Sequence, residues 1–160
     1  MKFIFSLIFL MAVLTGCQNK DNSISLITPF ELSDSTETAT YTNGMNWWES
    51  LQHTSEYVHI IEFGNTDVGI PLNIIALSAS KIFNISEIKS NDKTIWLINN
   101  GIHPGEPDGI DASMLFARNL VSSSDFKEKY KDIVVLIIPF YNIGGALNRN
   151  CCSRTNYCTN

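Results

Sequence analysis

An α/β fold with a mixed, largely parallel sheet flanked by helices follows from three features of this chain. Two apolar runs, Thr94 to Asn99 and Lys131 to Tyr141, have the composition of strands buried on both faces. Between them, Asp111 to Val121 sets Met114, Leu115, Ala117, Leu120 and Val121 at the spacing of an amphipathic helix. Strand, helix and strand in that order make a βαβ unit, whose right-handed crossover lays the two strands in parallel. Upstream, Val58 to Phe63 and Pro71 to Ser78 read as two more strands, and Gly64-Asn65-Thr66-Asp67-Val68-Gly69 reads as the hairpin connection between them.

The totals fit one globular domain. The chain has 160 residues, 44% of them hydrophobic and 17% charged. So low a charged fraction suits buried strands plus one hydrophobic leader. A net charge of -5 argues against nucleic acid as a partner, which calls for a basic face.

Met1-Lys2 is a short positive start, and Phe3 to Val13 is apolar except for Ser6. The run is too short for a mature bilayer span, which takes ~20 residues. It has the length of a signal-peptide core, so residues 1–16 are expected to be removed. The following Leu14-Thr15-Gly16-Cys17 resembles a bacterial lipobox. That resemblance implies cleavage before Cys17 and a diacylglycerol on its thiol; the alternative is an ordinary signal peptide with an incidental cysteine. Two or three acyl chains anchor a protein firmly where one is marginal. The expected location is the bacterial cell envelope, membrane-anchored. Gln18 does not resemble an inner-membrane retention signal, which is compatible with the outer membrane where a cell has one. Residues 17–35 read as the lipidated cysteine and a polar tether, within which Leu26-Ile27-Thr28-Pro29-Phe30 has the composition to dock on the domain.

Thr42 or Asn43 is a candidate cap for a helix from Gly44 to Ser55. Met45, Trp48 and Leu51 fall on one face of it, and Trp47 turns partly away. The tryptophan pair reads as a core-facing stripe rather than a ligand platform. Residues 151–160 form an atypical tail holding Cys151, Cys152 and Cys158. Cys158 could bridge to either neighbour in an oxidising compartment. A zinc knot there lacks a C-x-x-C pair and a nearby histidine.

The chemistry centres on Gly101-Ile102-His103-Pro104-Gly105-Glu106. This segment lies between the first apolar strand and the helix, and open α/β sheets build their sites at the carboxyl ends of strands. A histidine and a glutamate three apart on a turn can reach one metal ion, and zinc accepts both at ~2.0–2.2 Å. The glycines and prolines of the segment, with Pro107, stiffen and bend the turn. His-x-x-Glu alone is a short pattern with a real chance rate. Its place between strand and helix is what gives it weight. The other two histidines, His53 and His59, fall in a predicted helix and strand and read as ordinary surface or core residues. No Gly-x-Ser-x-Gly elbow and no phosphate-binding glycine loop is present.

From about Tyr41 to Asn150 the chain resembles the zinc carboxypeptidases of the carboxypeptidase A type. Three segments carry the resemblance: the hairpin Gly64 to Leu72, the His103-x-x-Glu106 motif, and Ile138-Pro139-Phe140-Tyr141-Asn142-Ile143-Gly144-Gly145. The last is similar to the family's P-x-x-N-P-D-G turn, with Ile143-Gly144 in place of Pro-Asp. The resemblance implies that residues 36–150 are a partial carboxypeptidase-like domain. It implies that His103 and Glu106 are the first two ligands of Zn2+, in a site with two histidines, one glutamate and a water. It implies a peptide or peptidoglycan-peptide substrate. An oxyanion-stabilising arginine is also implied, for which Arg154 is the candidate and Arg149 the alternative.

The family's third ligand, a later histidine, has no counterpart here, and neither has its general-base glutamate. With a family domain of ~300 residues, the chain holds the N-terminal half, an incomplete domain expected to be inactive as it stands. A frameshift, an early stop and a partial gene model all fit. The last strand would then lack neighbours and leave an exposed apolar edge. Two other functions stay open: a zinc deacylase of the aspartoacylase type, which shares the His-x-x-Glu pair, and a non-enzymatic surface lipoprotein.

Overall fold

The computed structural model describes residues 26–148. It opens with a single helical turn, α1 (Pro29–Leu32). The turn is held by a reciprocal cap, in which the Glu31 N–H donates to Thr28 Oγ1 at 3.2 Å and the Thr28 N–H donates to the Glu31 carboxylate at 2.8 Å. Next comes α2 (Tyr41–Thr54), whose cap is Thr40, accepting from the Asn43 N–H at 3.1 Å. The helix therefore starts a turn earlier than the Thr42 or Asn43 cap predicts. Trp47, expected to turn partly away, is only 5% exposed. The reason is α1, which packs beside α2 and closes over it. The two indoles meet edge to face, centroids 5.0 Å apart.

The hairpin is β1 (Val58–Asn65) and β2 (Pro71–Ser78), antiparallel from Val58 opposite Leu77 to Asn65 opposite Pro71. After a short α3 (Ile85–Ser90) the crossover follows. It consists of β3 (Thr94–Asn99), α4 (Asp108–Ser122), α5 (Phe126–Lys129) and β4 (Ile133–Ile138), and the described chain closes with α6 (Ile143–Leu147). The strand order is β1-β2-β4-β3. β4 pairs parallel with β3 and antiparallel with β2. The sheet is mixed, as predicted. In the described residues its parallel character is confined to the crossover pair, because the hairpin contributes the other two pairings.

Strand alternation divides the interior in two. Val135 and Ile137 of β4 face a large cluster with Trp48 and Leu51 of α2 and Met114 and Ala117 of α4. Val134, Leu136 and Ile138 face the opposite way, against Ile74, Ala76 and Ile88 of α3.

β3 corrects two expectations. Its composition predicts burial on both faces, yet Ile95, Trp96 and Leu97 are 40%, 46% and 57% exposed. The open apolar edge was expected on the last strand. Among the described residues it lies on β3 instead, because β4 inserts between β2 and β3 and becomes central. The Thr94 N–H donates to the Asp132 carbonyl and the Asn100 N–H to the Ile138 carbonyl, both at 2.9 Å. Even-numbered residues thus turn their peptide groups toward β4, while Ile95, Leu97 and Asn99 turn theirs to the free side.

The segment before α2 is fastened to the crossover helix. Arg118 of α4 donates to both carboxylate oxygens of Glu31, at 2.6 and 3.0 Å, and to the Leu26 carbonyl at 3.0 Å. Asp111, buried in the first turn of α4, accepts the Ala39 N–H at 3.0 Å. The Arg118 hydrogen bond holds the Glu31 carboxyl at about 2, with Thr28 assisting and burial opposing. From Leu26 onward, then, the stretch assigned by composition to a tether is part of the folded body.

Candidate metal centre

Two strand-end turns lie side by side at the carboxyl end of β3 and β4. Parallel pairing does not stop with the strands. The Asn100 N–H donates to Ile138, the Tyr141 N–H to Asn100, and the Asn142 N–H to Gly101, each at 2.9 Å. This zipper fixes the path of residues 100–101 against 138–142 just before the His103 turn begins.

Gly101 makes that path possible. Its φ is +64°, a region that side chains disfavour. A Cβ there would also stand 3.1 Å from the Phe140 Cα. The other side of Phe140 needs a glycine too, since a Cβ on Gly44 of α2 would come within 2.7 Å of its ring. Tyr41 meets the same ring edge-on at 5.2 Å. The floor under the site is therefore a contact between α2, Phe140 and the β3 turn.

His103 and Glu106 occupy the two ends of a four-residue turn. The Glu106 N–H donates to the His103 carbonyl at 2.8 Å, which closes His103-Pro104-Gly105-Glu106 into a β-turn. Pro104 stands at the second position, where its fixed φ suits such a turn. The turn brings the first and fourth residues to the same end, so imidazole and carboxylate leave from neighbouring points. Pro107 then starts α4, accepting the Ile110 N–H at 2.8 Å. Asp108 and Asp111 in the first turn suit the positive end of the helix. The predicted start of this helix, Asp111, is one turn late.

The donor set fits zinc. His103 Nδ1 is buried and has no hydrogen-bond partner within the fold. A solvent-excluded ring nitrogen without a partner is costly unless something accepts its lone pair or proton, and a metal ion does so. Glu106 lies at the surface beside it and offers carboxylate oxygen. His53 stays with α2 and His59 with β1, where its ring packs on Phe83 at 5.2 Å. Among the described residues no group of three His, Cys, Asp or Glu is placed to hold a metal. Arg149, Arg154, Cys17, Cys151, Cys152 and Cys158 lie outside the described residues.

Sequence reasoning passed over Asn100. Its Oδ1 sits 2.6 Å from where a Cβ on Gly109 would be, so glycine in the first turn of α4 makes room for it. Its Nδ2 is buried without a partner. The available signal was an asparagine before a left-handed glycine at a strand end, in the pattern Asn100-Gly101.

Comparison with known proteins follows the same line. The structure is similar to bovine thrombin-activatable fibrinolysis inhibitor in complex with tick carboxypeptidase inhibitor (TM-score 0.57, 18% identity, 74% of this chain and 36% of that one). It is similar to carboxypeptidase A from Helicoverpa armigera (TM-score 0.55, 16% identity, 74% of this chain and 28% of that one). It is also similar to a metallo-carboxypeptidase from Burkholderia cenocepacia (TM-score 0.52, 18% identity, 69% of this chain and 28% of that one). At such identities the likeness is one of fold. The chain spans about a third of the length of these solved structures or less. No curated protein matches it in sequence. A family model described as zinc carboxypeptidase matches residues 45–154, a stretch that takes in the hairpin, the His103 turn and the Asn142 turn. The chain belongs to the zinc carboxypeptidase family, whose cofactor is Zn2+.

Proposed function

We propose that this chain carries the first part of a metallocarboxypeptidase-type active site, with His103 and Glu106 as two zinc ligands. The carrying observation is the closed His103–Glu106 turn at the carboxyl end of a parallel strand pair, with a buried and unpartnered His103 Nδ1. When bound, zinc supplies an activated water and polarises a carbonyl. The protein's own part is positional. The Gly101 zipper sets where the turn leaves the sheet, and the Glu106 N–H bond to His103 holds the two ligand-bearing residues at a fixed span. Peptides, including peptidoglycan peptides, are the substrate class that such a site serves.

Catalytic zinc takes three protein ligands. The described residues bring together two, which supports weak zinc binding and no peptide hydrolysis by residues 18–160 alone. If residues 1–160 are the whole protein, the same observation favours a second reading, a surface lipoprotein that uses the fold for binding. The leader and the Cys17 context support attachment to a bacterial membrane, the outer one where two exist.

The test is a zinc titration of residues 18–160 against a chromophoric chelator, paired with a peptide-hydrolysis assay. His103→Ala is expected to weaken zinc binding at least about tenfold. Hydrolysis is expected to stay at background with zinc added. Unchanged affinity in His103→Ala would remove the ligand assignment, and zinc-dependent turnover would remove the claim of inactivity.

A further inference from the structure

The surface nearest the expected anchor is unusually apolar. Among the described residues, Leu32 at 78% and Ile27 at 60% exposure are two of the three most exposed large hydrophobic side chains. They stand on opposite sides of Thr28 and α1 and line one groove of about 320 Å³ between α1 and α2. Pro29 and Trp47 complete its apolar lining, and the rest is Asn43, Asn46 and Ser50, without charge. Scattered exposed apolar residues need no explanation, but a contiguous patch at one end of a domain does.

Chain length says what covers it. Leu26 is fixed to α4 through its carbonyl, which accepts from Arg118 at 3.0 Å. Only eight residues lie between it and Cys17. Even fully extended they span no more than ~30 Å, so a lipid on Cys17 holds this end of the domain close to the bilayer. The charge pattern agrees. From Leu26 to Ser33 the only charged residue is Glu31, and Arg118 neutralises it. The flanking Asp34 and Glu37 are exposed acids, which suits a zwitterionic lipid surface better than a strongly anionic one.

We propose that the α1 face, led by Ile27 and Leu32, docks on the lipid surface that holds the Cys17 anchor. This rests on the lipoprotein reading and adds an orientation to it. The acyl chains supply attachment, and the apolar patch sets which side of the domain faces the membrane. The metal turn at the carboxyl ends of the strands is then presented according to that fixed orientation rather than by free rotation on a tether.

The experiment uses the full chain, processed in a bacterial host and reconstituted in zwitterionic vesicles, with a benzophenone photo-cross-linker at position 32. The control carries it at Phe63, an apolar residue 62% exposed on the hairpin. Lipid adducts are expected about fivefold above the Phe63 control. A probe at Asn43, on the other wall of the groove, reports the same docking with Leu32 intact. Its yield is expected to drop about threefold or more in the I27D/L32D double variant. Mass spectrometry of the N-terminal peptide separates the two readings. Without acyl mass on Cys17, the anchor fails and the docking geometry with it. With acyl mass present, equal yields at positions 32 and 63 would overturn the docking alone.

Discussion

β3 and β4 are two six-residue strands of nearly the same chemistry, side by side in parallel, with opposite fates. Every β4 residue after Ile133 is buried, with Leu136 at 5% and Ile137 at 0% exposure. β3 leaves Leu97 57% exposed. Burial of a strand depends on its neighbours, and composition reports only what the strand would tolerate. β4 has β2 on one side and β3 on the other, with packed helices on both faces. Among the described residues β3 has one strand neighbour, β4, and packs on α4, where Trp96 meets Phe116 edge-on at 5.7 Å.

Paired truncations give the largest test of that contrast. Ile137→Ala is expected to cost about 2–5 kcal/mol, the range for deleting a fully buried aliphatic group. Leu97→Ala is expected to stay within about 1 kcal/mol. Urea unfolding at matched slopes measures both, and equal costs would mean that β3 is covered in solution. A smaller effect belongs to the turn that leaves β3. Gly101→Ala is expected to cost about 1–3 kcal/mol through its left-handed backbone and its approach to Phe140. Zinc affinity should fall with it although both ligands remain. A loss of stability with unchanged affinity would separate the zipper from the metal turn.

The smallest effect touches neither strand and serves as their control. Glu31 has a folded value of about 2, below its ordinary 4.5. Its pairing with Arg118 therefore stabilises fully above about pH 4.5 and is lost as pH falls toward 2. With Glu31 a third exposed, solvent screening limits the gain to about 1 kcal/mol. Glu31→Gln is expected to lower stability by that amount at pH 7 and to flatten the difference from wild type near pH 2. Thermal unfolding across that range checks it, and a constant offset at every pH would assign the effect to packing instead.

Local signals were legible where the chemistry is local. The hairpin, the crossover and the His103 turn all follow from punctuation by Gly, Pro and Asn between apolar runs. The order of strands was not legible. Whether β4 lands outside β3 or between β3 and β2 depends on contacts across the sheet that no window of sequence contains. Trp47 failed for the same reason, since its cover comes from residues 27–32. Asn100 escaped because its role depends on the glycine at 109, across the turn.

The fastening of residues 26–39 has a mechanical side. Load entering the chain at its amino end meets the Arg118 bonds to Glu31 and Leu26 first, and the Asp111 bond to Ala39 next. These are a few side-chain links in series, whereas the sheet resists as a ladder of parallel bonds. Under tension the strap is expected to peel from α4 one link at a time before any strand yields. Roughly 40–50 Å of slack is released by those 14 residues while the core stays closed. A pull on the amino end is thus taken up first by one arginine and one aspartate on the helix that also precedes the metal turn's partner strand.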